Sequence, residues 1–218
     1  MFRLINQETQ QVYTADSPTK VNSIIESHNM INVKFTQLPT RIGDNFLHKI
    51  DLSDVSFENC SNVEEIGDYF LSDCRYLENV NFNGLSGLIS IGRVFLAESL
   101  YLHEINFEGL SNLERIGEFF LSECYTLRNP NFNGLDNLKI IGAYFMAHCV
   151  SLRKPNFEGL HNVEFIDEGF LANCKFLNKP NFNGLKNIKF IHKNAMVKCP
   201  RINQQQINDL YELTNKKI

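Results

Sequence analysis

Cysteine is the most reactive residue type in this chain, and five of its six cysteines share one register. Cys74, Cys124, Cys149, Cys174 and Cys199 fall on a 25-residue period, with Ser99 in the vacant place. Thiols in such a file could bind a soft metal or oxidise in pairs. The spacing argues otherwise. No C-x-x-C pair occurs, Ser99 breaks any strict pairing, and Cys60 lies in a different register, shared with Leu85. These cysteines therefore read as small, reduced core thiols stacked roughly 4.8 Å apart. The six histidines, His28, His48, His103, His148, His161 and His192, share no register, and no pair has metal-ligand spacing. No glycine-rich phosphate loop is present. The expectation is a chain with no catalytic residues, no metal and no cofactor.

Three other columns carry recognition chemistry. Asn81, Asn106, Asn131, Asn156 and Asn181 form a polar stripe. It reads either as an amide ladder in which each side chain bonds its neighbour or as a surface offered to a partner. Beside it the charge changes sign along the chain, from Glu78 and His103-Glu104 to Arg128, Arg153-Lys154 and Lys179. Such cations can dock an acidic partner, although Glu108 and Glu158 lie close by. A lateral column turns apolar at Ile140, Phe165 and Phe190, where earlier units carry Glu65, Ser90 and Arg115. An exposed apolar patch implies a cover, which is either the C-terminal helix or a partner or second copy of the chain.

The element that positions all of these is a repeat. Phe57, Phe82, Phe107, Phe132, Phe157 and Phe182 stand 25 residues apart. Around them recur Leu77, Val80, Leu85, Leu88, Ile91-Gly92 and Phe95-Leu96. A fixed period of this length marks a solenoid, in which one unit cannot bury its apolar face and stacked units make a continuous core. The L-x-x-V-x-F segment alternates like a strand. Pro130, Pro155 and Pro180 enter its valine position and should shorten that strand to two or three residues. Gly84, Gly109, Gly134, Gly159 and Gly184 share a column with Asn59, which predicts positive φ there. The Gly67, Gly92, Gly117 and Gly142 column yields to Asp167 and His192 and should tolerate side chains.

The motifs L-x-x-V-x-F and I-G-x-x-F-L-x-x-C, as in Ile66-Gly67-Asp68-Tyr69-Phe70-Leu71-Ser72-Asp73-Cys74 and Ile116 to Cys124, resemble the BspA-like leucine-rich repeats over about residues 36–202. Two features depart from that family: Phe-Leu replaces its usual Ala-Phe pair, and the unit is longer by about two residues near the Asn-Gly turn. The resemblance implies an α/β solenoid, a leucine-rich repeat array with short parallel strands on its concave face, and recognition of a protein partner without catalysis. Its alternative implication is a surface, adhesion or structural protein binding an extracellular or particle-surface ligand.

Around the array, residues 1–35 read as an N-terminal cap. Strands are expected over Phe2–Ile5 and Gln11–Thr14, and a helix over Pro18–His28 with Ser17 as its cap. Residues 36–202 are the repeats. Residues 203–218 form a C-terminal capping helix, running from Gln204 to about Lys216. The 218 residues, 43% of them hydrophobic, suffice for one elongated domain. A net charge of −4 argues against a general nucleic-acid binder. The start, Met1-Phe2-Arg3-Leu4-Ile5-Asn6-Gln7, lacks an apolar leader, and no run is long enough to span a membrane. A cytoplasmic location is the expectation, and the oligomeric state stays open.

Overall fold

The computed structural model describes residues 1–215. Its elements in order are β1 (Phe2–Asn6), β2 (Val12–Ala15), α1 (Pro18–Ser27), β3 (Asn32–Gln37), β4 (Arg41–Ile42), β5 (Asp54–Phe57), β6 (Glu65–Ile66), β7 (Asn79–Asn81), β8 (Ser90–Ile91), β9 (Arg115–Ile116), β10 (Ile140–Ile141), β11 (Phe165–Ile166), β12 (Phe190–Ile191) and α2 (Gln204–Asn215). The helix expected to reach Lys216 runs there to the limit of the described residues. No helix occurs inside the rungs, so the array is a β-solenoid of stacked coils and not an α/β alternation.

Two sheets line the stack, where the L-x-x-V-x-F motif suggested one. The first has the order β2-β1-β3-β5-β7, with β1 antiparallel to β2 and β3 and the rest parallel. It stops early. Beyond β7 the strand positions of the proline-bearing rungs keep only single bridges, Asn131 to Asn156 and Asn156 to Asn181. The expected strands of two or three residues are absent there, where proline offers no ladder N–H, but the preceding rung, with Ile105 and no proline, carries no strand either. The second sheet runs β4-β6-β8-β9-β10-β11-β12, all parallel, and persists along the array at the residue pair before the Ile-Gly glycine. Its register follows the repeat, as in Ile140 opposite Phe165 and Phe165 opposite Phe190.

Two files of phenylalanine fill the core between the sheets. Phe57, Phe82, Phe107, Phe132, Phe157 and Phe182 form one; Phe46, Phe70, Phe95, Phe120, Phe145 and Phe170 form the other. Rings of the first file lie 5.6–6.3 Å apart, and those of the second 5.3–5.6 Å. In the first file the spacing is widest, 6.3 Å, between Phe57 and Phe82, where β5 and β7 pair, and falls to 5.6 Å between Phe132 and Phe157, where only a single bridge remains.

The F-L-x-x-C segment closes each rung with a backbone that its side chains do not announce. Every second residue is left-handed: Tyr69 (φ 64°), Leu71 (52°) and Asp73 (52°), then Val94, Leu96 and Glu98, and so on through the array. Each costs an L-residue roughly 1–2 kcal/mol. The return is a hydrogen bond in each direction along the stack. The Tyr69 N–H donates to Arg93 O (2.8 Å) and the Asp73 N–H to Ala97 O (2.8 Å) on the next rung, while the Leu71 N–H donates to Phe46 O (3.2 Å) on the preceding one. Buried backbone groups left without partners would cost more than this strain.

The rungs approach so closely that glycine is needed for space as well as conformation. Gly134 has φ +95°, and a Cβ there would lie 2.5 Å from Phe107 O. Gly84 and Gly184 lack the positive φ but face the same carbonyl of the preceding rung. The Ile-Gly column is tight as well. A Cβ on Gly142 would lie 2.6 Å from Glu118 N and from Gly117 C, so the expected tolerance of side chains does not hold at that rung.

The ends are finished differently. The β1–β2 hairpin continues the first sheet, and α1 buries Val21 and Ile25. Ser17 caps α1 by accepting the Lys20 N–H. From α1, Asn22 Oδ1 accepts the Leu47 N–H (3.1 Å), and its Nδ2 donates to Asn45 O (2.9 Å). The side chain thereby replaces the backbone carbonyl that Phe46 offers Leu71 one rung later. At the other end α2 buries Leu210 and lays Ile207 and Tyr211 on the core; Tyr211 donates its hydroxyl to His192 O (2.9 Å).

Candidate interaction surfaces

The asparagine column shares one face with the charged columns, because Asp54 and Ser56 of β5 point away from the buried Val55 and Phe57. It is not an amide ladder. Each Oδ1 instead accepts the N–H two residues on: Asn81 from Asn83 (3.0 Å), Asn106 from Glu108 (2.9 Å), Asn131 from Asn133 (3.1 Å), Asn156 from Glu158 (3.2 Å) and Asn181 from Asn183 (3.0 Å). These are Asx turns that lead the chain out of the strand position. Only Asn181 also bonds across a rung, donating to Asn156 Oδ1 (3.1 Å). The Nδ2 groups of Asn81, Asn106 and Asn131 remain directed outward.

An asparagine ladder of another kind, from side chain to backbone, lies elsewhere. Asn62, Asn112, Asn137 and Asn162 each donate to a carbonyl of the preceding rung at 2.6–2.9 Å. Its signal, asparagine recurring on the same period after the Leu85-type column, is present in the sequence.

Arg128, Arg153, Lys154 and Lys179 are all exposed and lie on the asparagine face of successive rungs. Among the described residues none of them forms an ion pair, whereas Lys34, Arg41, Arg75 and Arg93 earlier in the chain are paired at 2.9–3.3 Å. Arg153 and Arg201 lie over the Phe176 ring, at 5.7 and 4.5 Å from its centre. The ring restrains both guanidiniums without neutralising them. Phe176 occupies the column of Tyr76 and Tyr101, which stack on each other at 5.9 Å.

The lateral column stands uncovered. Ile140, Phe165 and Phe190 are 44%, 45% and 50% exposed, flanked by the ion pairs Lys139–Glu114 and Lys189–Glu164. The helix expected over them, α2, sits instead on the end of the core, because that end exposes Ala195, Met196 and Cys199 to it. Between the last rung and α2 lies an apolar cleft of about 750 Å³, rimmed by Lys175, Lys193 and Lys198.

All six thiols are free and buried. Cys74, Cys124, Cys149, Cys174 and Cys199 each donate to a carbonyl 27 or 28 residues back, at 2.9–3.2 Å, and Ser99 takes the same role toward Leu71 O. Burial pushes the Cys74 and Cys124 thiols up to about 12 and Cys60 to about 11, and raises Cys149 as well. No group of three or more histidine, cysteine or acidic residues among the described residues is placed to hold a metal ion.

Stacked parallel coils, an asparagine ladder and capped ends define a leucine-rich repeat solenoid. The chain belongs to the BspA type leucine rich repeat family, whose six-copy pattern matches residues 17–114 and again 89–217. No curated protein sequence matches it. Among solved structures, the crystal structure of a T. pallidum leucine rich repeat protein shares the fold, with a TM-score of 0.62 over 86% of this chain and 91% of that one, at 20% identity. No described helix is long and apolar enough to cross a membrane.

Proposed function

We propose that this chain is a non-enzymatic interaction module that docks an acidic protein on the asparagine face of its later rungs. One observation carries this reading: Arg128, Arg153, Lys154 and Lys179 are exposed, aligned by the repeat and without an ion pair, while on the same face of the first sheet Lys34 is paired with Glu58. Uncompensated like charges on a rigid array repel one another, and an anionic partner relieves that repulsion. Such a field mainly speeds association and weakens with salt. The Nδ2 donors of the asparagine column add hydrogen-bond capacity to the same face.

The six free thiols support a reducing compartment as the place of action. The test is affinity capture from the native host with the wild-type chain and with a variant carrying Arg128→Ser, Arg153→Ser, Lys154→Ser and Lys179→Ser. An acidic protein retained by the wild type, eluted by salt and lost by the variant is the expected result. Equal retention by both chains, indifferent to salt, would overturn the reading.

A further inference from the structure

The asparagine face is complementary to itself when inverted. Residues 1–125 hold 18 acidic and 8 basic residues, and residues 126–218 hold 7 acidic and 13 basic. The chain is therefore strongly polarised along its stacking direction. From this and the column chemistry we infer that two copies pair face to face and antiparallel through the asparagine side, about a two-fold axis between the Glu104 and Arg128 rungs. The inference concerns the face already proposed for an acidic partner but does not depend on that partner.

The repeat fixes what meets what. In this arrangement the first of six rungs faces the sixth, the second the fifth, and the third the fourth. Asp54 then lies opposite Lys179, and Glu78 opposite Arg153. Arg128 lies beside Glu104 of the other copy and opposite its His103. A third column alternates as Glu58, Asn83, Glu108, Asn133, Glu158, Asn183. It belongs to the same face, since Glu58 pairs with Lys34 and Glu158 accepts from Asn156 Nδ2. Inversion sets every glutamate of that column against an asparagine, an acceptor against a donor. The central Asn81 and Asn106 meet Asn156 and Asn131, amide against amide.

Other arrangements of the face fail on charge. A parallel pair sets each rung against its own copy, so the rungs of Arg153, Lys154 and Lys179 meet cationic rungs and the rungs of Glu78 and Glu104 meet acidic ones. Sliding the antiparallel pair by half a rung in either direction centres the axis on Arg128 or on Glu104, and each then meets its own copy. Sliding by a full rung toward the C-terminus sets Arg128 against Arg153. Juxtaposed like charges are costly, so the register is specified by repulsion as much as by attraction. Six rungs at about 4.8 Å give a strip about 25 Å long, and five residues per rung at about 3.3 Å make it about 16 Å wide, so it covers about 400 Å², well under the roughly 800 Å² per partner of a standard stable interface. The pair is accordingly weak, carried by charge, and dissociated by salt. It also hides the cations, so an acidic partner competes with the second copy.

The experiment is analytical ultracentrifugation of the whole chain with two charge-reversed forms. One carries Glu78→Arg and Glu104→Arg; the other carries Arg128→Glu and Arg153→Glu. All four positions are exposed, and unchanged circular dichroism and melting confirm that each form folds. The wild type at low salt is expected to approach twice its 25.2 kDa mass with rising concentration, and to return to the single mass near 0.5 M salt, where the screening length is about 4 Å. Each reversed form alone should remain at the single mass, since position 78 then meets position 153, and position 104 lies beside position 128, with like charge. An equimolar mixture of the two should recover the doubled mass. A wild type that stays single at low salt, a reversed form that still pairs, or a mixture that fails to pair overturns the inference. None of these readouts involves the acidic partner, so their failure leaves the proposed docking function to its own test.

Discussion

Two glycines of the array should respond oppositely to alanine. Gly43 follows Ile42 as Gly142 follows Ile141, and both sit in the same column as Gly67, Gly92 and Gly117. Above Gly43 there is no preceding rung, and a Cβ there would meet nothing within 4 Å. Its φ is not positive, so alanine fits and restricts only the unfolded chain. Gly43→Ala is expected to stabilise by about 0.4–1 kcal/mol. Gly134, in the other glycine column, presents the reverse case. Its φ of +95° strains an L-residue by roughly 1–2 kcal/mol. A Cβ 2.5 Å from Phe107 O and 2.7 Å from Phe107 C also forces two backbones apart, at about 1–3 kcal/mol. Gly134→Ala should therefore cost about 2–5 kcal/mol, or a Tm lower by roughly 5–15 °C in a chain of this size. Thermal and urea denaturation of the two variants beside the wild type decide the matter. Comparable losses for both would refute the argument that rung-to-rung approach, and not the residue type, sets the cost. Gly142→Asp belongs with Gly134→Ala: the backbone of Gly117 and Glu118 stands where its Cβ must go, although Asp167 occupies the next place in that column.

Two further outcomes follow from the core. Phe132→Ala removes a ring that touches Phe107, Phe145 and Phe157 at 5.6–5.9 Å and should cost roughly 3–5 kcal/mol; a melting temperature within a degree or two of wild type would contradict its burial. The thiols give a pH dependence whose sign is fixed by their raised values. Cys74 and Cys124 hold their protons to about pH 12 when folded, while unfolded thiols release them near 9, so the stabilisation is complete below about pH 9 and is lost as the pH rises toward 12. Each such thiol should lower stability by about 1.4 kcal/mol per pH unit across that window, and a Tm flat between pH 8 and 10.5 would refute it. In the folded protein these thiols should resist alkylation, and all six should react after unfolding.

The period of 25 residues, the two phenylalanine files and the buried thiol column were legible in the sequence because each rung repeats the same burial problem with the same solution. So was the alignment of Arg128, Arg153, Lys154 and Lys179, since a fixed period carries each column along the stack. What the period does not carry is the backbone between the landmarks. Nothing in Leu71, Val94 or Phe119 signals left-handed φ, because the residues are poor at it in isolation. The conformation exists only where a rung above and a rung below receive its N–H groups. The asparagine column was legible as polar and regular, yet its role as a series of Asx turns depends on where the chain turns after the buried phenylalanine. The position of α2 was likewise undecided by its apolar stripe, which fits either the lateral column or the open end of the core. The end of the core wins because it exposes unpaired rung contacts that one helix can satisfy, leaving Ile140, Phe165 and Phe190 uncovered. Local pattern thus determined what each rung is made of, and only stacking decided how the backbone bends to reach its neighbours and which faces are left free.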